Sequence, residues 1–331
     1  MSPRALVTGG TGFIGSSIVR ELLRAGYAVR VLVRPNSDTR NLAELDIETV
    51  EGDITDISSV QRAISGCEVV FHAAALYSFW VRDSKLIYRV NVGGTENVLS
   101  TAKRAGIERI VYTSSVAALA VPEGKTPVTE ETPIDPKKII GDYKRSKYEA
   151  EQLALKLAGK GLPVVIVNPT FPVGPRDIKP TPTGRMILDF LNHRMPAYME
   201  TGMNVVDVEN VATGHLLALE KGRIGERYIL GGKNMRMVEL LQLLSEITGI
   251  PAPRIRLPYY PILGLSYINA AWCQVTGRIP RMTPDTIRMS RHYMYYDPGK
   301  AIRELGLPQT PPKTALQKAV TWFQDNGYVQ G

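Results

Sequence analysis

Hydrophobic positions in the first half of the chain fall into short, largely β-branched runs separated by amphipathic stretches. Ala5–Val7, Ala28–Val33, Val69–His72, Ile110–Tyr112 and Pro163–Val167 read as strands. Between them, apolar residues recur at helical spacing over Ile14–Ala25 (closed by Gly26), Ser58–Ile64, Leu86–Ala105 and Asp142–Ala158. Strands alternating with helices in this way build βαβ units around a parallel sheet covered on both faces. The expected fold is therefore α/β, with a doubly wound parallel sheet.

The pattern loosens after Pro169. Pro and Gly are dense up to Gly184, and shorter elements then mix: Met186–Asn192, Val205–Val208, Asn210–Glu220, Arg227–Leu230, Val238–Thr248, Pro284–Met289 and Thr314–Asn326. This predicts a cofactor-binding domain over residues 1–168 and a smaller C-terminal α/β cap over 169–331, with segments near 205–215 returning to the core.

Composition narrows the function classes. The chain has 331 residues, 44% of them hydrophobic and 22% charged, enough for a large core. Its net charge of +8 comes from Lys and Arg spread along the sequence. That spread argues against nucleic acid and for a small phosphate-bearing ligand. Cys67 and Cys273 provide neither a disulfide framework nor zinc spacing, so no metal is expected. A strand starting near Arg4 leaves no room for a signal peptide, and the expected location is cytoplasmic. Leu257–Val275 is rich in Tyr, Leu, Ile and Trp but broken by Pro258, Pro261 and Gly264. It reads as a cap helix packed on the core, or as a segment lying on a membrane or over a lipophilic substrate.

Thr8-Gly9-Gly10-Thr11-Gly12-Phe13-Ile14-Gly15 joins the first strand to the first helix. Glycines there permit a tight turn, close approach of backbone to a pyrophosphate, and tight packing of helix on strand. The helix N-terminus then faces the phosphates. This is the fingerprint of a Rossmann-type dinucleotide site. At the end of the second strand, Val33-Arg34-Pro35-Asn36-Ser37 carries no carboxylate before Asp38. Arg34, assisted by Ser37 or Arg40, points to NADP, with NAD as the alternative.

Tyr143 and Lys147 lie four apart on the predicted helix, so they share a face. A neighbouring ammonium is expected to lower the phenol's pKa into the range useful for proton transfer. Upstream, Tyr112-Thr113-Ser114-Ser115 ends a strand in hydroxyls. A second Tyr/Lys pair, Tyr296 and Lys300, spans Pro298 and Gly299 and lacks such a strand, so it does not qualify.

Together these residues resemble the extended short-chain dehydrogenase/reductase family over essentially the whole chain. The resemblance implies Tyr143 as acid/base, Lys147 as ribose ligand, and Ser115 as the carbonyl-orienting hydroxyl, with Ser114 the less favoured neighbour. It implies cofactor contacts from Gly9, Gly12, Phe13, Ile14 and Gly15, from Asp53 and Ile54, from Ala73 and Ala74, and from Pro169 and Thr170. Asn91 is implied either in a proton relay or as a buried polar cap. Strings such as Val164 to Pro169 and Gly174 to Gly184 are similar to the hopanoid-associated sugar epimerase group and to dihydroflavonol reductases.

Substrate contacts are expected from Tyr77, Phe79, Trp80, Phe171 and Arg176. Phe171 stands where nucleotide-sugar epimerases usually carry Asn. That departure favours an NADP-dependent reductase acting on a secondary alcohol and its ketone. The alternatives are a sugar epimerase or dehydratase that retains its cofactor and grips a diphosphate through Arg176, Arg185 or Arg254, and a non-catalytic cofactor sensor. A small-molecule substrate is the expected partner, with a homodimer and peripheral lipid contact left open.

Overall fold

The computed structural model describes residues 2–77, 83–276 and 283–329, and of Val275 only the backbone. In chain order the first half gives β1 (Arg4–Thr8), α1 (Phe13–Arg24), β2 (Ala28–Val33), β3 (Glu48–Glu51), α2 (Ile57–Ile64), β4 (Val69–His72), α3 (Ser84–Tyr88), α4 (Gly94–Arg104), β5 (Arg109–Thr113), α5 (Asp142–Ala158) and β6 (Val164–Pro169). The second half gives β7 (Phe171–Val173), α6 (Pro182–Leu191), β8 (Ala197–Tyr198), β9 (Gly202–Asp207), α7 (Val208–Lys221), β10 (Arg227–Leu230), β11 (Lys233–Arg236) and α8 (Met237–Thr248). It ends with β12 (Ile255–Arg256), α9 (Tyr259–Thr276), α10 (Pro284–Met289), β13 (Tyr293–Met294), α11 (Gly299–Leu305) and α12 (Pro312–Asp325).

Seven strands form one parallel sheet in the order β10-β6-β5-β4-β1-β2-β3. Alternation along the strands divides the core in two. Ala5, Val7, Val111, Val165 and Val167 face one side with Ile18 and Leu22 of α1, Val211 of α7 and Leu305 of α11. Leu6, Ile110, Val164 and Ile166 face the other with Val60 of α2, Leu99 of α4 and Ala150 of α5. Both faces are covered, as the unbroken apolar strands require. The expected α/β, Rossmann-type doubly wound sheet is present.

The second half of the chain is shared between two bodies of structure. β10 extends the main sheet beside β6, and α7 packs against α1. β7, β9, β11 and β13 form a small mixed sheet, packed under α6, α8 and α12 by Leu188, Leu240, Leu316 and Phe323. Helix α9 covers most of the Leu257–Val275 segment, expected either as a cap helix packed on the core or as a segment on a membrane or over a lipophilic substrate. It carries its large side chains outward: Tyr260, Leu265, Ile268 and Trp272 are each more than half exposed.

One expected helix, Leu86–Ala105, is not uniform. A π-helical turn over Arg89–Gly93 separates α3 from α4 and re-aims the buried Asn91. Pro169 ends β6, paired in register with Leu230, and Thr170, between β6 and β7, donates its N–H to the Leu230 carbonyl at 3.2 Å.

Candidate active site

The glycine loop is set by backbone sterics. Gly9 has φ +75°, and a Cβ there would lie 2.6 Å from the Ala74 nitrogen and 2.7 Å from the Ala73 carbonyl carbon. A Cβ on Gly15 would lie 2.1 Å from the Gly9 oxygen. The loop therefore lies directly on the Ala73–Ala74 backbone that leaves β4, and helix α1 lies directly on the loop. Gly12 caps α1 with no side-chain hydrogen bond to the first turn, and no acidic residue stands there. Uncapped N–H groups of Phe13, Ile14 and their neighbours, at the positive end of a helix dipole, fit the pyrophosphate of a dinucleotide.

The adenosine end has its own frame. Asp53 follows β3, its carboxylate accepting from Thr55 N–H at 2.8 Å and Oγ1 at 2.7 Å, and Ile54 is buried against Gly94. Among the described residues, Arg34 is exposed and makes no ion pair. Arg40 is held by Asp38 at 2.7 Å, so Arg34 is the cation left available at the end of β2.

The reacting end gathers around α5 and the end of β5. Gly141, at φ +84°, turns the chain into α5, where Tyr143 occupies the first turn. Tyr143 hydrogen-bonds Ser115, and its ring lies 4.8 Å from that of Tyr77. Burial pushes the Tyr143 phenol up to about 12, opposed by the Ser115 hydrogen bond. The expected downward shift is therefore not what the protein's own groups produce. Lys147, one turn on, directs its ammonium at the end of β5 instead, 2.9 Å from the Thr113 carbonyl and 3.4 Å from Tyr112 Oη. Burial brings Lys147 down to about 8, opposed by the charge of Glu151.

The two hydroxyls after Thr113 differ. Ser115 is half-buried beside Tyr143 and accepts from Ala117 N–H at 3.1 Å, whereas Ser114 is buried on the Glu151 side. Asn91 is a buried polar tie between two segments. Its Nδ2 donates to the Leu76 carbonyl at 3.2 Å and to Ser146 Oγ at 2.9 Å, and its Oδ1 accepts from Leu76 N–H at 2.7 Å. It ties the segment after β4 to the residue preceding Lys147.

Of the expected substrate residues, Tyr77 and Phe171 lie on this side of the molecule, Phe171 packing with Val116 and Leu119 just beyond Ser115. Phe79 and Trp80 lie outside the described residues. Arg176 faces elsewhere. Its guanidinium lies 3.5 Å from Glu209 of α7, and its carbonyl accepts from Asn41, which also donates to Thr11 of the glycine loop. The hydroxyl of Thr170 is likewise committed, donating to Asn204 Oδ1 at 3.0 Å.

Behind the pair lies a group absent from the sequence reading. Glu151, fully buried one turn beyond Lys147, accepts from Asn168 Nδ2 at 2.6 Å and faces Arg227 at 3.5 Å. The same Asn168 amide donates to the Ser115 carbonyl at 3.0 Å. Burial raises the Glu151 carboxyl, opposed by Ser114, Asn168 and Arg227. One side chain thus connects the Ser115 turn to the carboxylate under Lys147. The signal was available: Tyr143, Lys147 and Glu151 are spaced four apart, and Asn168 interrupts an otherwise apolar strand.

Comparison with known proteins bears on this arrangement. Residues 5–231 match the model of the NAD dependent epimerase/dehydratase family. A Synechocystis protein provisionally named dihydroflavonol 4-reductase is 49% identical over 98% of this chain and 95% of its own length. Sterol demethylase protein B of Methylococcus capsulatus is 36% identical over 98% of this chain and 99% of its own. The crystal structure of gox2253 superposes with a TM-score of 0.89 at 44% identity, covering 99% of this chain and all of that one.

Proposed function

The chain belongs to the NAD-dependent epimerase/dehydratase family and is an enzyme of the extended short-chain dehydrogenase type, and from that premise we propose an NADP-dependent reductase of an apolar ketone. The observation that carries the proposal is the Tyr143–Ser115 hydrogen bond, in a chain whose glycine loop leaves α1 uncapped. When bound, the nicotinamide supplies the hydride, or accepts it in the reverse direction. Ser115 donates a hydrogen bond to the substrate carbonyl oxygen and orients it. Tyr143, a neutral phenol at pH 7, gives its proton to that oxygen as negative charge develops there. Lys147 places positive charge at the end of β5, where it would hold the ribose of a bound cofactor.

An aromatic wall from Tyr77 and Phe171 suits a flat or lipophilic substrate, and Arg176 is engaged with Glu209 rather than free to grip a diphosphate. That combination favours the reductase over a sugar-nucleotide epimerase. The decisive variant is Tyr143→Phe. Turnover should fall by about 10²–10⁴-fold while NADPH affinity, measured by fluorescence titration, stays within about twofold. Activity that survives this change would remove Tyr143 from the mechanism. The choice of cofactor rests on Arg34. Arg34→Glu should weaken NADPH by about tenfold and leave NADH nearly unchanged; equal losses for both would refute a role in reading the 2′-phosphate.

A further inference from the structure

We infer that helix α9 docks the enzyme onto an anionic lipid bilayer. The segment between Arg256 and Arg278 contains no Asp, Glu, Lys or Arg. Within it, α9 turns Pro261, Leu265, Ile268 and Trp272 to solvent, at the spacing of one helix face. Tyr260 is 73% exposed, Ile268 68% and Trp272 63%, and Ile255 just before the helix is 63% exposed. Single exposed apolar residues are ordinary, but a contiguous face of this kind marks an interaction surface.

Charge selects the partner. Residues 254–291 hold six arginines (Arg254, Arg256, Arg278, Arg281, Arg288 and Arg291) against a single carboxylate, Asp285. This one segment therefore accounts for most of the chain's net charge of +8. Arg254 and Arg256 are exposed at the start of the helix, while Arg288 and Arg291 stack on Tyr267 and Tyr259. An uncharged apolar helix with Tyr and Trp, rimmed by arginine, matches the depth profile of a membrane interface. Acyl chains take the apolar face and anionic headgroups the rim, each basic residue near the surface adding attraction. A second copy of the chain would bring the same cationic rim against itself.

The location gives the surface a use. Arg288 of α10 is bonded to Tyr267 of α9, and Asp285 of α10 abuts Gly141, two residues before Tyr143. Docking through α9 would set this edge of the active site against the bilayer. No helix among the described residues is long and apolar enough to cross a membrane, so the contact would be peripheral.

The test is co-sedimentation with vesicles of phosphatidylcholine alone and with about one-third phosphatidylglycerol. The full-length enzyme should pellet with the anionic vesicles and much less with the neutral ones, and added salt should release it. Ile268→Glu and Trp272→Glu should each cut the bound fraction by about tenfold. Thermal melting and NADPH titration confirm that both variants are folded. Pelleting no better than a control protein, or unchanged binding by Ile268→Glu, would overturn the proposal. So would sedimentation velocity showing a concentration-dependent dimer that Ile268→Glu dissociates, because the face would then belong to a second copy.

Discussion

The glycine cradle and the α9 edge both meet a partner, yet they are specified in opposite ways. In the cradle the backbone itself is the contact surface, so the constraint falls on what must be missing: any Cβ at Gly9 or Gly15 runs into main-chain atoms. At the α9 edge the side chains are the surface, and the backbone beneath tolerates change: a Cβ on Gly264 would meet nothing within 4 Å. A cradle for a fixed cofactor is steric and close to all-or-none. A surface for a lipid or a varied substrate is additive and can be rebuilt residue by residue.

The largest effect expected from this difference comes from the same substitution made in both places. Gly15→Ala forces its Cβ onto the Gly9 oxygen, so the loop and α1 must separate. We expect a loss of about 3 kcal/mol or more, with nicotinamide binding abolished. Gly264→Ala, in an open helix position, should instead stabilise by about 0.5–1 kcal/mol. Thermal denaturation of the two variants with and without NADPH measures both. Similar melting temperatures would show that the contrast between the regions is not steric.

A smaller effect is expected at the flank of the cradle, next to Arg176, whose carbonyl shares Asn41 with Thr11 of the glycine loop. Asp177, between β7 and α6, is buried, and Thr181 donates to it through N–H at 2.9 Å and Oγ1 at 2.8 Å. Burial raises its carboxyl from 3.8 to about 6, with the Thr181 bonds opposing. Since the folded state holds this proton more tightly than the unfolded chain, the associated stability is present below pH 4. It is lost as pH rises through about 6, and amounts to about 2–3 kcal/mol. Asp177→Asn should flatten that part of the stability curve, read by urea denaturation between pH 4 and 7. A wild-type curve already flat over this window would place the carboxyl in its ordinary range.

The same contrast explains what could be read from sequence. Five strands of the main sheet, the glycine loop and the helix carrying Tyr143 and Lys147 follow from periodicity and from residues whose chemistry has few substitutes. The short, polar β3 does not, and β10, expected in the cap, joins the main sheet beside β6. The short strands β8, β12 and β13, each of two residues, carry no periodicity to read. The commitment of Arg176 to Glu209 is a long-range pairing, and so is the contact of Asn91 with Ser146, 55 residues apart. Such pairings depend on which faces the fold brings together. The pKa of Tyr143 departs from the expected direction for a related reason. Spacing places Lys147 on the same face, but burial dominates the phenol, and the ammonium points at Thr113.

Glu151 tests whether the cradle side is as purely steric as its glycines imply. Its carboxylate lies under Lys147 and favours the charged ammonium, which burial otherwise brings down to about 8. If Lys147 must be protonated for turnover, the rate should fall as pH rises through that value. Removing the negative charge in Glu151→Gln leaves burial less opposed, so the Lys147 pKa falls further and the alkaline limb moves to lower pH. The amide keeps an oxygen for Asn168 to donate to, which limits the structural change. We expect kcat about tenfold below wild type near pH 8, with the gap closing towards pH 6 as Lys147 regains its proton in both proteins. NADPH affinity near pH 6 should be nearly unchanged. A purely structural role would instead lower activity by the same factor at every pH, leaving the limb in place. In that case the buried carboxylate would matter only for holding Asn168 and the Ser115 turn, and side-chain charge would have no part in the cradle's chemistry.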